Sequence, residues 1–144
     1  MFENFLNRLF QPEDDQFADE DARLALSALL VRVARSDGDY EAAEQSRIDR
    51  IIATRYGLSP FEASKLRGEA EGVEAEAPDT VRFTRAIKDV VPYEERIAVI
   101  EALWQVALAD GERDEEEDAL LRLVSSLLGI NDRDSALARQ RVGG

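Results

Sequence analysis

Cysteine and histidine are both missing from this chain. Without thiols there can be no disulfide, no thiolate nucleophile, no zinc-thiolate site and no iron-sulfur cluster. Without imidazole, serine-histidine catalysis and histidine metal ligation are excluded as well. Any metal must therefore be held by oxygen, which restricts the choice to hard cations such as calcium, magnesium or manganese. No run of about eighteen apolar residues is present, so no transmembrane helix is expected. The N-terminus lacks the charged start and apolar stretch of a signal peptide, and the expected compartment is the cytoplasm. Prolines number only four and glycines eight, too few for a loop-dominated or disordered chain.

What the chain has in excess is acid. Eighteen basic against thirty-one acidic residues give a net charge of −13. Such a surface repels phosphate backbones and attracts cations and basic partners, so nucleic acid is not an expected ligand. The 144 residues are enough for one domain with a proper core.

The stretch Leu103 to Gly129 organises the rest. An apolar run ends in Asp110-Gly111, an acidic segment Glu112 to Asp118 follows, and Leu121, Val124, Leu127 and Leu128 then recur at helical spacing until Gly129. The same order occurs 73 residues earlier. Leu30, Val33, Ala34, Asp37, Gly38 and Glu44 map onto Leu103, Val106, Ala107, Asp110, Gly111 and Glu117, and Ile48 and Ile51 fall on Leu121 and Val124. The register slips by one residue at Gly57 against Gly129. The expected fold is therefore all-α, a single domain of seven to eight helices carrying two pseudo-symmetric copies of a helix, acidic corner and helix. Residues 1–20 form an N-terminal amphipathic helix with an acidic connection, and residues 21–142 form the domain, with repeat one at 21–57 and repeat two at 93–129.

In chain order, Met1 to Phe10 places Phe2, Phe5, Leu6, Leu9 and Phe10 on one helical face. That face reads either as an anchor for a partner or membrane surface or as a helix folded onto its own core. The second reading is preferred, since Arg8 alone cannot supply a basic interfacial face. Two nearly uninterrupted apolar helices, Asp21 to Ser36 and Tyr93 to Ala109, are expected to pack together as the core, with Trp104 and Leu103 supplying much of the buried area. A third helix over Glu41 to Tyr56 should turn Ile48, Ile51 and Ile52 inward and end at Gly57. Ser59-Pro60 opens another, to about Glu71, while the alanine- and glutamate-rich Glu69 to Ala77, framed by Gly68, Gly72 and Pro78, reads as a frayed end and linker. Asp79 or Thr80 caps a helix with Phe83, Ile87 and Val90 as its apolar stripe and Arg82, Arg85 and Lys88 as a solvated or counter-charging edge. Asn131 begins a last short helix carrying Ala136, Leu137 and Val142.

The chemistry of such a chain lies at the acidic corners. Corner one supplies Asp37, Asp39, Glu41 and Glu44, and corner two Asp110, Glu112, Asp114 and Glu117. Both start with Asp-Gly. Glu41-x-x-Glu44 and Asp114-x-x-Glu117 also have the spacing of a helix N-cap and its third-position partner, which needs no ligand. Aligned as EF-hand loops, Asp37 or Asp110, the following glycine, and Glu44 or Glu117 occupy the fifth, sixth and twelfth places. Positions one and three would be Val33 and Arg35 or Val106 and Leu108, which excludes a true EF-hand. Each corner is half a coordination shell, and a cation site would need both copies to converge. Catalysis by paired carboxylates needs an enclosed cleft, and no phosphate loop or nucleophile elbow is present, so enzyme activity is not expected.

The segments Val33-Ala34-Arg35-Ser36-Asp37-Gly38 with Glu44, and Glu94-Glu95-Arg96 leading to Ala102 through Glu112 with Glu117, resemble the TerB family of tellurite-resistance-associated proteins over about Asp21 to Ile130. The resemblance implies an all-helical, pseudo-symmetric domain with an acidic surface proposed to bind divalent metal, in bacterial systems linked to tellurite and general chemical stress. The matching acids are Asp37, Glu44, Asp110 and Glu117, with Asp39, Glu41, Glu112 and Asp114 as the second choice. A chain without thiols cannot itself reduce tellurite by familiar routes, so the implied role is that of a sensor, scaffold or metal-binding adaptor. The alternative is a protein-interaction adaptor that uses the residue 1–10 helix or the acidic patch and no metal.

Overall fold

The computed structural model describes residues 19–36, 38, 40–77, 80–108 and 115–143, with side chains beginning at Glu20 in the first span and at Asp118 in the last. Among the described residues there are seven helices and no strand: α1 (Asp19–Arg35), α2 (Ala42–Tyr56), α3 (Pro60–Glu76), α4 (Val81–Val90), α5 (Tyr93–Ala107), α6 (Glu115–Leu127) and α7 (Asp132–Val142). The fold is all-α, and none of these helices is long and apolar enough to cross a membrane. The expected helix over Met1 to Phe10 lies outside the described residues.

Helix α1 is the hub. Leu24 to Val31 are all buried, as are Val33 and Ala34, which is the signature of a helix enclosed on every side. It packs against α2, α3, α4 and α5. Its polar interruptions are both satisfied: Ser27 Oγ donates to the Arg23 carbonyl at 2.9 Å, and Arg32 reaches across to α3. Helix α5 buries Val99, Ile100, Leu103, Trp104 and Val106 and packs on α1, so the two apolar helices do form the core together. Each large apolar side chain removed from water contributes on the order of 1.5 to 3 kcal/mol.

The internal repeat extends further than the corners. Gly57 and Gly129 both take left-handed backbone, φ 64° and 75°, and close α2 and α6 in the same manner. Leu58 N–H donates to the Ala53 carbonyl and Ile130 N–H to that of Ser125, at 3.0 and 2.9 Å. A side chain at either glycine would strain the turn. Two residues on, Ser59 and Asn131 then cap α3 and α7: Ser59 Oγ accepts from Glu62 N at 3.1 Å and Asn131 Oδ1 from Asp134 N at 2.7 Å. Each copy is thus three helices, α1-α2-α3 and α5-α6-α7, with α4 between them.

Two local expectations need correction. Helix α3 does not fray at Glu71 but runs to Glu76, with Ala70 and Val73 buried and Gly68 and Gly72 inside it. Its last turn is held from outside, because Arg32 Nη2 donates to the carbonyls of Glu74 and Ala77 at 3.1 and 2.8 Å. Thr80 precedes α4 without a side-chain capping bond; its Oγ1 instead accepts from Arg32 Nη1 at 3.3 Å. Asp79 lies outside the described residues. In α7 the buried residue is Ala138, while Ala136 and Leu137 face solvent, because α7 meets α5 through the opposite side. Ile51 and Val90 are half-buried and pack against the core, as the apolar stripes of their helices require.

Candidate functional site

Corner one follows directly from the end of α1. Gly38 N–H closes a turn on the Arg35 carbonyl at 3.0 Å, and Gly38 has φ 88°. Tyr40 then inserts between elements: its hydroxyl donates to Glu71 Oε2 of α3 at 2.6 Å, and the Arg35 guanidinium lies 5.0 Å over its ring. Burial, reinforced by the Glu71 carboxylate, raises the Tyr40 hydroxyl well above the ordinary tyrosine value. Glu41 is the N-cap residue of α2, and its N–H donates to Glu44 Oε1 at 3.2 Å. The Glu44 carboxylate is therefore in use as a cap, as the spacing allowed.

Of the eight candidate ligands, these two acids are the ones the structure describes with side chains, and it brings them together. Asp37, Asp39, Asp110, Glu112 and Asp114 lie outside the described residues. Glu117 is in the first turn of α6, and its carboxylate is likewise outside the description. Among the described residues no group of three or more acids is arranged to hold a metal ion.

A network unforeseen in the sequence backs corner one. Arg35 Nη1 and Arg32 Nε hold the two oxygens of Glu74, at 2.5 and 3.0 Å. Arg67 joins Asp49 of α2 through Nε at 2.6 Å and Glu71 through Nη1 at 2.8 Å. Glu71 Oε2 in turn accepts the Tyr40 hydrogen bond, so α1, α2, α3 and the corner are wired together. Arg32 is also 5.2 Å from the Phe83 ring, which carries the network to α4. The signal was present as an arginine inside an apolar helix, a position that must find buried acceptors.

Two cavities open between the helices. One, of about 780 Å³, lies between α2 and α5 and the end of α7. Its walls carry Arg47, Arg50, Arg55 and Arg141 against a single acid, Glu101, which Arg141 engages at 2.6 Å, while Ile51, Ala98, Ala102 and Val142 give it an apolar floor. The other, of about 610 Å³, lies between α6 and α7 beside Trp104 and is lined by Asp118, Arg122, Asp132 and Arg139 among others.

These features define an all-helical domain built on a duplicated helical frame. The sequence model described as "Tellurite resistance protein TerB" matches residues 23–140. The chain belongs to the TerB family of tellurite-resistance-associated proteins. No curated protein and no solved structure matches it.

Proposed function

We propose that this chain is a non-catalytic cytoplasmic binding module in the bacterial response to tellurite and related chemical stress, whose ligand is a hard divalent cation held by carboxylate oxygens from the two acidic corners. Asp37, Glu44, Asp110 and Glu117 are the first-choice ligands, with Asp39, Glu41, Glu112 and Asp114 around them. The observation that carries this reading is the duplication: two copies of one helical frame each put Asp-Gly after a core helix and carboxylates at the start of the next. Calcium, magnesium or manganese suits such an all-oxygen set.

A second reading has its own observation. Glu44 already caps α2, and the arginine-lined groove between α2 and α5 offers a docking surface for an acidic segment, as an adaptor without metal would need. Thermal unfolding of chelator-treated protein separates the two. Titration with calcium, magnesium or manganese, against sodium chloride of matched ionic strength, should give a saturable stabilisation of about 2.7 kcal/mol at a hundredfold excess over the dissociation constant. Asp37→Asn with Asp110→Asn should abolish it. Equal responses to all salts mean general screening and leave the adaptor reading.

A further inference from the structure

The two repeats differ at one place in a way that specifies a ligand. In the first copy Arg67 of α3 donates from Nε to the Asp49 carboxylate of α2 at 2.6 Å, and the two helices pack along each other. Counted from the capping glycines, the counterpart of Arg67 is Arg139 of α7; 73 residues beyond Asp49 stands Arg122 of α6. Arg122 and Arg139 line one cavity, where the first copy joins the two helices by an ion pair. Arg139 Nε is buried without a hydrogen-bond partner, and its guanidinium lies 5.3 Å over the Trp104 ring. Trp104 is only 5% exposed, and its indole Nε1 is the second buried donor there without a partner. Between α6 and α7 the cavity of about 610 Å³ takes the place of the closed packing seen in the first copy. The side-chain bond recorded across it is that between Ser125 Oγ and Ser135 Oγ, at 3.1 Å.

We propose that this cavity binds a small organic carboxylate, whose carboxyl group takes the position that Asp49 holds in the first copy and accepts from Arg139 and the Trp104 indole. An indole N–H can only donate, and an arginine can only donate, so the missing partner must be an acceptor. Planar carboxylate geometry matches the guanidinium fork. The charged lining, Arg122 and Arg139 against Asp118 and Asp132, is balanced, which favours a monoanion over a phosphate dianion. The volume is within the range of small-molecule sites.

Trp104 is the sole tryptophan, so its indole N–H gives a single resonance in a nitrogen-15 spectrum of the full chain. Titration with acetate, and with benzoate as a bulkier probe, should move that resonance downfield and saturate, while sodium chloride and phosphate of equal ionic strength should not. Arg139→Met should weaken the apparent affinity roughly tenfold, the size of one charge-assisted hydrogen bond. Arg122→Asp restores the arrangement of the first copy, so it should abolish the acetate response and raise the unfolding temperature together. A resonance that stays put, moves linearly with every salt, or responds equally in Arg139→Met overturns the proposal. So does Arg122→Asp protein that still folds and still binds acetate.

Discussion

The two copies share a frame and differ in what fills it. Arg23 lies 4.6 Å over Tyr56 in the first, and Arg96, its counterpart, donates to the carbonyl of Leu128, the residue that matches Tyr56, in the second. Backbone caps, core leucines and this arginine contact therefore survive in both. The ion-pair wiring does not. Arg32 and Arg35 map onto Gln105 and Leu108, and Tyr40 onto Arg113, so the second copy lacks the groups that tie the first to α3. What remains in the second is a cavity lined by Trp104 and Arg139, each with a buried donor that has no hydrogen-bond partner. Duplication leaves one copy free to diverge, and here the first carries a stapled scaffold while the second keeps the open space.

The largest effect should come from the part the copies share. Leu30 and Leu103 are matched and both fully buried. Leu30→Ala and Leu103→Ala should each lose about 2 to 5 kcal/mol in denaturant unfolding, by lost transfer energy plus the cavity left behind. Similar losses with one cooperative transition mean that the copies share one core; a much smaller loss at Leu103 would mean that the second copy is packed less tightly than its burial implies.

The part that differs should separate the copies next. Arg67 is 16% exposed, and its removal takes the cation from Asp49 and from Glu71, which keeps its Tyr40 hydrogen bond, each acid being about a quarter exposed. Partial solvent access reduces the cost from that of a fully buried pair, so Arg67→Ala should lose roughly 1 to 3 kcal/mol. Arg139→Ala leaves no acid behind and gives up a cation-π contact of roughly 0.5 to 1 kcal/mol. Equal losses at the two positions would erase the distinction drawn between the repeats.

Sequence made the frame legible because the frame is written in repeated residues: apolar positions, Asp-Gly and the capping glycines recur at one offset. The wiring was hidden for specific reasons. Glu74 stands in an alanine- and glutamate-rich stretch beside two glycines, where local propensity reads as linker; burial of Ala70 and Val73 against α1 and the Arg32 bonds to the helix end override it. Arg32 reads as a break in an apolar run until its partners 42 to 48 residues away are in place. Of the candidate site, the Glu41 and Glu44 cap was legible from spacing alone. The cavity beside Trp104 was not, since it depends on two arginines failing to pair across helices.

The smallest predicted effect concerns alkaline pH and again divides the copies. Tyr40, held by burial and by Glu71, has its hydroxyl raised well above the ordinary value, and burial raises Tyr56 too, with Arg55 opposing. In the second copy Tyr93 is raised chiefly by the hydrogen bond it donates to Asp134, at 2.8 Å. A raised folded value means that the native state keeps a proton the unfolded chain gives up, so this contribution is whole below about pH 10 and is lost as pH rises beyond it. Stability measured in urea should therefore fall between about pH 9.5 and 11. Tyr40→Phe should make that fall shallower by more than Tyr93→Phe, because Tyr40 combines burial with a carboxylate already engaged by Arg67, while Tyr93 is raised chiefly through one hydrogen bond that water can replace. If the two substitutions flatten the profile equally, Tyr40 is not held by the first copy's network in solution, and the stapled half of the comparison fails at its contact with corner one.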